Sequence, residues 1–221
     1  MSFWGYKFET LSLLPNTWAA TPREVIDGRE DEVVSNHAQY CSVVRTGIGK
    51  AKMIIGGEVD AVWDSKPESK DEPINWVELK TSEEISNDRD MLKFERKLLK
   101  FWIQSFLLGV PKIIVGFRSR SGILQRLEEL ETKNIPSNVK RKGKGTWDGN
   151  LCINFTAAFM DWLKSTITTP AKYRIRRRDR SSIIEVEEIE PAPTSSYAPT
   201  APATPTPNTT GPSRILTTEF V

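Results

Sequence analysis

Histidine is almost absent from this chain: His37 is the only one in 221 residues. With a single imidazole, Ser-His-Asp catalysis, histidine-held zinc and paired histidine acid–base chemistry are nearly excluded. Cysteine is scarce too, with Cys41 and Cys152 the only two. Far apart and in apolar surroundings, they read as reduced core thiols of a cytosolic or nuclear protein rather than as a disulfide. The sequons at Asn154 and Asn208 then carry no meaning. No apolar run approaches the roughly 20 residues of a membrane span, and no basic-then-apolar leader resembles a signal peptide. An excess of one charge is also missing, since 31 Lys and Arg against 29 Asp and Glu leave a net +2. That is too little to argue nucleic-acid binding from bulk charge. No serine sits in a nucleophile elbow. The KGKGT string at Lys142 to Thr146 lacks the spaced glycine and preceding strand of a phosphate loop, and reads as a basic surface loop. A metal held by carboxylates is the chemistry left.

Two strings supply it. GGEVDAVWD carries Glu58 and Asp60, and INWVELKTS carries Glu78-Leu79-Lys80. Residues i and i+2 of a strand share a face, so Glu58 points with Asp60 and Glu78 with Lys80. Pairing these two strands side by side gathers three carboxylates and one ammonium. Carboxylate oxygens suit Mg²⁺ and Mn²⁺, and a lysine beside them offers a compact charge to a phosphate. Either pair alone is commonly a solvated strand face. Here both sit in apolar frames, with Val59, Ala61, Val77 and Leu79 alternating with the charges, as in central strands.

Around these strings the chain alternates strands and helices. An aromatic opening, Met1 to Leu14, reads as a helix stopped by Pro15, with Glu9 as its one acid; 22–36 reads as a surface loop or short helix. Tyr40 to Arg45 and Lys52 to Ile55 bracket a hairpin turn at 46–49, and Gly56-Gly57 suits a bulge or a close backbone approach. A loop at 65–72 separates the acid-bearing strands, the second of which spans 74–81. A long helix runs from caps at Ser86, Asn87 or Asp88 to Gly109. It carries one polar stripe of Lys93, Lys97, Lys100 and Gln104. Buried, Gln104 needs a backbone partner; otherwise it looks into a polar site. Lys112 to Phe117 is a strand, giving a β-α-β unit. Further on come a short charged helix at 124–133, a basic loop at 140–144, a strand at 151–155 and an amphipathic helix at 156–167. A hairpin of 173–178 with 183–189 follows. Its RIRRRDR run is either a solvated face or a site for phosphate contacts. From about Glu190 the Pro-, Thr- and Ala-rich composition predicts a disordered tail.

Asp60 followed by Glu78-x-Lys80 resembles the PD-(D/E)XK nuclease superfamily. The longer strings FWGYKFE, YCSVVRTGIGK, GGEVDAVWD, INWVELKTS and KFWIQSFLLGVPKIIVGFR, in this order, resemble the DXO-type decapping exoribonucleases. The resemblance covers about 3–162. It implies an α/β fold, a mixed sheet flanked by helices, in a catalytic domain over 1–189, with a tail over 190–221. It implies metal ligands at Glu9, Asp60 and Glu78 with the carbonyl of Leu79, and catalytic, substrate-contacting roles for Glu58, Lys80 and Gln104. Glu9 and Gln104 enter the site only through this resemblance.

The expected activity is decapping hydrolysis at RNA 5′ ends with two Mg²⁺ or Mn²⁺ ions. The caps removed are incomplete or aberrant ones, unmethylated, triphosphate or NAD, and 5′-monophosphate RNA is left. Expected partners are those RNA ends and a nuclear 5′-3′ exoribonuclease, with no membrane; residence is the nucleus, or alternatively the cytoplasm. Family members are longer at the N-terminus. An arginine motif that meets the RNA 5′ end has no counterpart here, and neither does an acid that would fall near Ser2. A shell that binds RNA or an exoribonuclease without turnover is therefore the alternative. A DNA endonuclease sharing only the acid-x-Lys core is a third reading.

Overall fold

The computed structural model describes residues 2–191 except 36, 38, 70 and 143; the tail expected to be disordered lies, from residue 192, outside the described residues. Two compact units divide the chain, residues 1–166 and residues 167–221.

The aromatic opening forms a helix, α1 (Ser2–Ser12), and α2 (Arg23–Asp27) is one short turn in the charged segment after it. β1 (Cys41–Ile48) and β2 (Ala51–Glu58) make an antiparallel hairpin. Its turn is tighter than 46–49: Thr46 to Ile48 stay paired, and Gly49 takes the bend at φ +58°, a conformation that glycine adopts without strain. The register runs unbroken through Gly56 and Gly57, so there is no bulge. The close approach is present instead, since a Cβ on Gly57 would meet Leu108 Cδ1 at 2.7 Å. Cys41 is exposed on this hairpin rather than in the core, because it falls on the outward phase of β1.

The central sheet has the order β3 (Ala61–Val62), β4 (Trp76–Glu83), β5 (Lys112–Arg118), β6 (Leu124–Glu131). β4 and β5 are parallel and the outer pairings antiparallel, so the sheet is mixed. Between β4 and β5 runs α3 (Asp88–Leu108). Asn87 caps it by accepting the N–H of Asp90 at 3.0 Å, and Gly109 ends it at φ +72°. Phe94, Phe101 and Trp102 of α3 pack on Ile113, Val115 and Phe117 of β5, all under 9 % exposed. Each such burial stabilises by about 1.5–3 kcal/mol. On the other face, Phe8 of α1 packs on Val77 and Leu79. The expected α/β architecture, a mixed sheet with helices on its faces, is what forms.

Four local expectations need correction. GGEVDAVWD is not one strand: Glu58 ends β2, Val59 and Asp60 bridge two sheets, and β3 is a two-residue edge rather than a central strand. Of the segment 124–133 expected to be helical, Leu124–Glu131 is strand, because pairing with β5 overrides the helix preference of its Leu and Glu residues, and only a 3-10 turn begins at Thr132. Leu151 to Phe155 is helical, within α5 (Gly149–Thr166), where Asp148 accepts the N–H of Leu151 at 3.1 Å. A short apolar run fits either state, and this cap decides it. The first part of the basic loop belongs to α4 (Ile135–Lys142).

In the second unit, β7 (Ala171–Arg177) and β8 (Ile184–Pro191) form the expected hairpin. Its arginines are matched across the strands, Arg174 with Glu187 and both Arg176 and Arg178 with Glu185.

Candidate active site

β4 sorts its residues by alternation. Val77 and Leu79 are buried against Phe8, while Glu78 and Lys80 belong to the opposite phase and line a cavity of about 580 Å³. α1 supplies Gly5, Tyr6 and Glu9 to this cavity, the end of β2 supplies Glu58, the bridge supplies Asp60, and α3 supplies Gln104, Leu107 and Leu108. Every residue that the sequence marked as a site residue therefore lines one space. The side-by-side strand pairing expected to produce this does not occur, since β3 meets β4 only at Ala61↔Val77 and Val62↔Trp76. Convergence comes instead from the chain crossing between sheets at Val59, which is 2 % exposed and anchors the crossing beside Leu108.

Gln104 is exposed at the cavity rather than tucked against backbone, and the helix's buried polar residues are Glu95 and its neighbour Ser105. Tyr6 was not foreseen, although its place three residues before Glu9 on the same helix face would have pointed to it.

The electrostatics follow from crowding. Glu78, 6 % exposed, forms an ion pair with Lys80. Asp60 Oδ2 accepts the N–H of Leu79 at 2.6 Å. Burial raises the pKa of Asp60 despite that bond and despite Lys80. Glu78 is likewise raised by burial, with Lys80 opposing and the Asp60 charge adding. Glu9 is pushed up to about 7, by burial first and then by Asp60, against the pull of Lys80. Burial lowers the pKa of Lys80, yet the carboxylates of Glu78, Asp60 and Glu9 outweigh it and raise the value overall. Each carboxylate here is short of positive charge, as the lone ammonium is shared among them.

The donor set is all oxygen, which suits a hard divalent cation. As placed, no three Asp, Glu, His or Cys side chains among the described residues make a ready metal cage. Glu78 is turned to Lys80 and Asp60 to the Leu79 amide, so the acids meet in one cavity without closing on one point. A larger cleft of about 1170 Å³ borders the other side of α1 and is walled by Trp4, Phe8, Leu13, Trp18 and Trp63. It includes Asp60 but none of Glu9, Glu58, Glu78 or Lys80, so the acid chemistry belongs to the smaller space.

The profile of the RAI1-like PD-(D/E)XK nuclease matches residues 1–221. The chain belongs to that family. It is 69 % identical over 190 residues to the decapping nuclease RAI1 of Aspergillus fumigatus, covering 86 % of this chain and 52 % of the relative. Among solved structures it is similar to Candida albicans Rai1 in complex with pU5 and Mn²⁺, with a TM-score of 0.79 and 37 % identity, covering 84 % of this chain and 51 % of the other. Scheffersomyces stipitis Rai1 in complex with (3′-NADP)⁺ and calcium gives 0.75 and 35 %, covering 84 % and 48 %. The chain thus spans about half the length of the RAI1 relatives it matches.

Proposed function

We propose that this chain is a divalent-metal-dependent hydrolase acting at RNA 5′ ends. It removes unmethylated, triphosphate or NAD caps and leaves 5′-monophosphate RNA. The observation that carries the reading is the one cavity that Glu9, Glu58, Asp60, Glu78, Lys80 and Gln104 line together. Further support comes from two RAI1 structures of similar fold, one with pU5 and Mn²⁺ and one with (3′-NADP)⁺ and calcium.

Glu9, Asp60 and Glu78, with the carbonyl of Leu79, are the groups to hold Mg²⁺ or Mn²⁺, in a two-ion site completed by Glu58. Such ions, when bound, activate water and stabilise the leaving oxygen. The chain's own groups do the rest. Glu78, paired with Lys80 in this structure, would hold a cation in place of that pairing, and the ammonium would then be available to the scissile phosphate. Gln104, exposed at the mouth, positions that phosphate through its amide N–H groups. Partial burial of Lys80 keeps its interaction stronger than it would be in water. The proposal extends to nuclear residence beside a 5′-3′ exoribonuclease, supported by the family resemblance alone.

The test incubates purified protein and Mn²⁺ or Mg²⁺ with RNAs bearing a triphosphate, an unmethylated cap, an NAD cap or a monophosphate. Duplex DNA runs in parallel. Release of 5′-monophosphate RNA by wild type and not by Glu78→Gln supports the reading. Absence of product from every RNA rejects it, as does equal product from both proteins.

A further inference from the structure

β3 leaves β4 at Val77, and β5 occupies the opposite side, so β4 has one open edge from Glu78 onward. An open edge has backbone groups to satisfy. Two side chains do so here. Asp60 accepts the N–H of Leu79, and two residues on, Lys97 Nζ donates to the carbonyl of Thr81 at 3.3 Å and to the hydroxyl of buried Ser82 at 3.2 Å. Leu79 and Thr81 present their backbone to the same edge, about 6.6 Å apart at two strand residues. That step is close to the separation of successive phosphates along an extended single strand. The contact of Lys97 with the Thr81 carbonyl thus lies one such step along the edge from the contact of Asp60 with the Leu79 amide.

Lys97 has no ion-pair partner among the described residues. Glu83, the acid whose charge reaches it, pairs with Arg120 instead. An ammonium has three donors, and two are engaged by neutral oxygens. Burial and the neighbouring Arg118 guanidinium lower its pKa, and the Glu83 charge only partly opposes them. Lys97 also precedes Gln104 by seven residues, about two turns along the same face of α3.

We infer that Lys97 holds the phosphate adjacent to the scissile one, guiding the RNA backbone along the open edge of β4. This rests on the nuclease reading. The competing role is a staple between α3 and β4 that only blocks the edge.

Fluorescence anisotropy separates the two, using 5′-phosphorylated uridylate of one and of five nucleotides with Ca²⁺ over a range of salt. Lys97→Gln keeps a donor for the Thr81 carbonyl and removes the charge; Lys97→Arg keeps both. Lys97→Gln is expected to bind the five-nucleotide RNA about tenfold more weakly. Its log–log salt slope should be shallower by about 0.7. The mononucleotide should bind all three proteins equally, and Lys97→Arg should match wild type. Unchanged binding of the longer RNA by Lys97→Gln overturns the inference. Equal weakening of the mononucleotide overturns it too, because that marks a structural staple. Wild type that binds neither RNA overturns the nuclease reading along with it.

Discussion

Two regions of this molecule concentrate charge, and they do so in opposite ways. In the β7–β8 hairpin, cations and acids alternate on exposed strands and each arginine named above meets a glutamate across the ladder. In the β4 cavity, four acids share one lysine and the carboxylates of Glu9, Asp60 and Glu78 all have raised pKa values. The hairpin is the denser cluster in sequence, with five basic residues in RIRRRDR, yet its charges are solvated and matched. Exposed pairs of this kind contribute little. Buried and mismatched charge is kept where it has a task, and burial, not charge density, separates the two regions.

The sharpest way to break the comparison is to neutralise one acid in each region. Glu78→Gln should lower hydrolysis of capped RNA by about 10²–10³-fold, measured as 5′-monophosphate product, while Glu185→Gln in the hairpin leaves the rate unchanged. Lys80→Met should lower the rate by about 10²-fold. It should also raise the pKa of Glu78 further, visible by carboxyl NMR as protonation at higher pH.

A smaller effect sharpens the contrast through stability. The carboxyl of Glu9 rises from its ordinary value of 4.5 to about 7 on folding. The folded protein then prefers the protonated form, so a destabilising contribution is absent below pH 4.5, grows from there to pH 7 and is complete above it. Without added metal, Glu9→Gln should melt at a higher temperature than wild type above pH 7 and at the same temperature below pH 4.5. Added Mn²⁺ should raise the melting temperature of wild type more than that of the variant. The smallest effect belongs to the hairpin, where Arg176→Gln should leave activity and melting temperature unchanged.

How far the sequence foretold this differs by element. The β-α-β unit was legible because α3 is long and capped at both ends, and its strands are apolar. β6 was not, since its Leu- and Glu-rich residues become a strand only through pairing with β5, a contact distant in sequence. Glu78 and Lys80 could be placed on one face by period two alone. Their meeting with Glu58 and Asp60 was foreseen for the wrong reason: the acids arrive by a chain crossing at Val59, not by strand pairing. Glu9 and Gln104 carry no local signal beyond a lone acid and a lone amide on helices. Only the fold, or resemblance to a family, brings them in. In sequence Lys97 is one member of a polar stripe with nothing to single it out, and its use at the β4 edge depends on where β3 stops.

The central claim is that acids from separate segments together bind a divalent cation. Titration calorimetry with Mn²⁺ tests it on wild type, Glu9→Gln, Asp60→Asn, Glu78→Gln and, from the hairpin, Glu185→Gln. The account predicts binding by wild type and by Glu185→Gln, and affinity at least about tenfold weaker for each of the three cavity variants. Cavity variants that bind Mn²⁺ as well as wild type, or a wild type that does not bind it, would contradict the account.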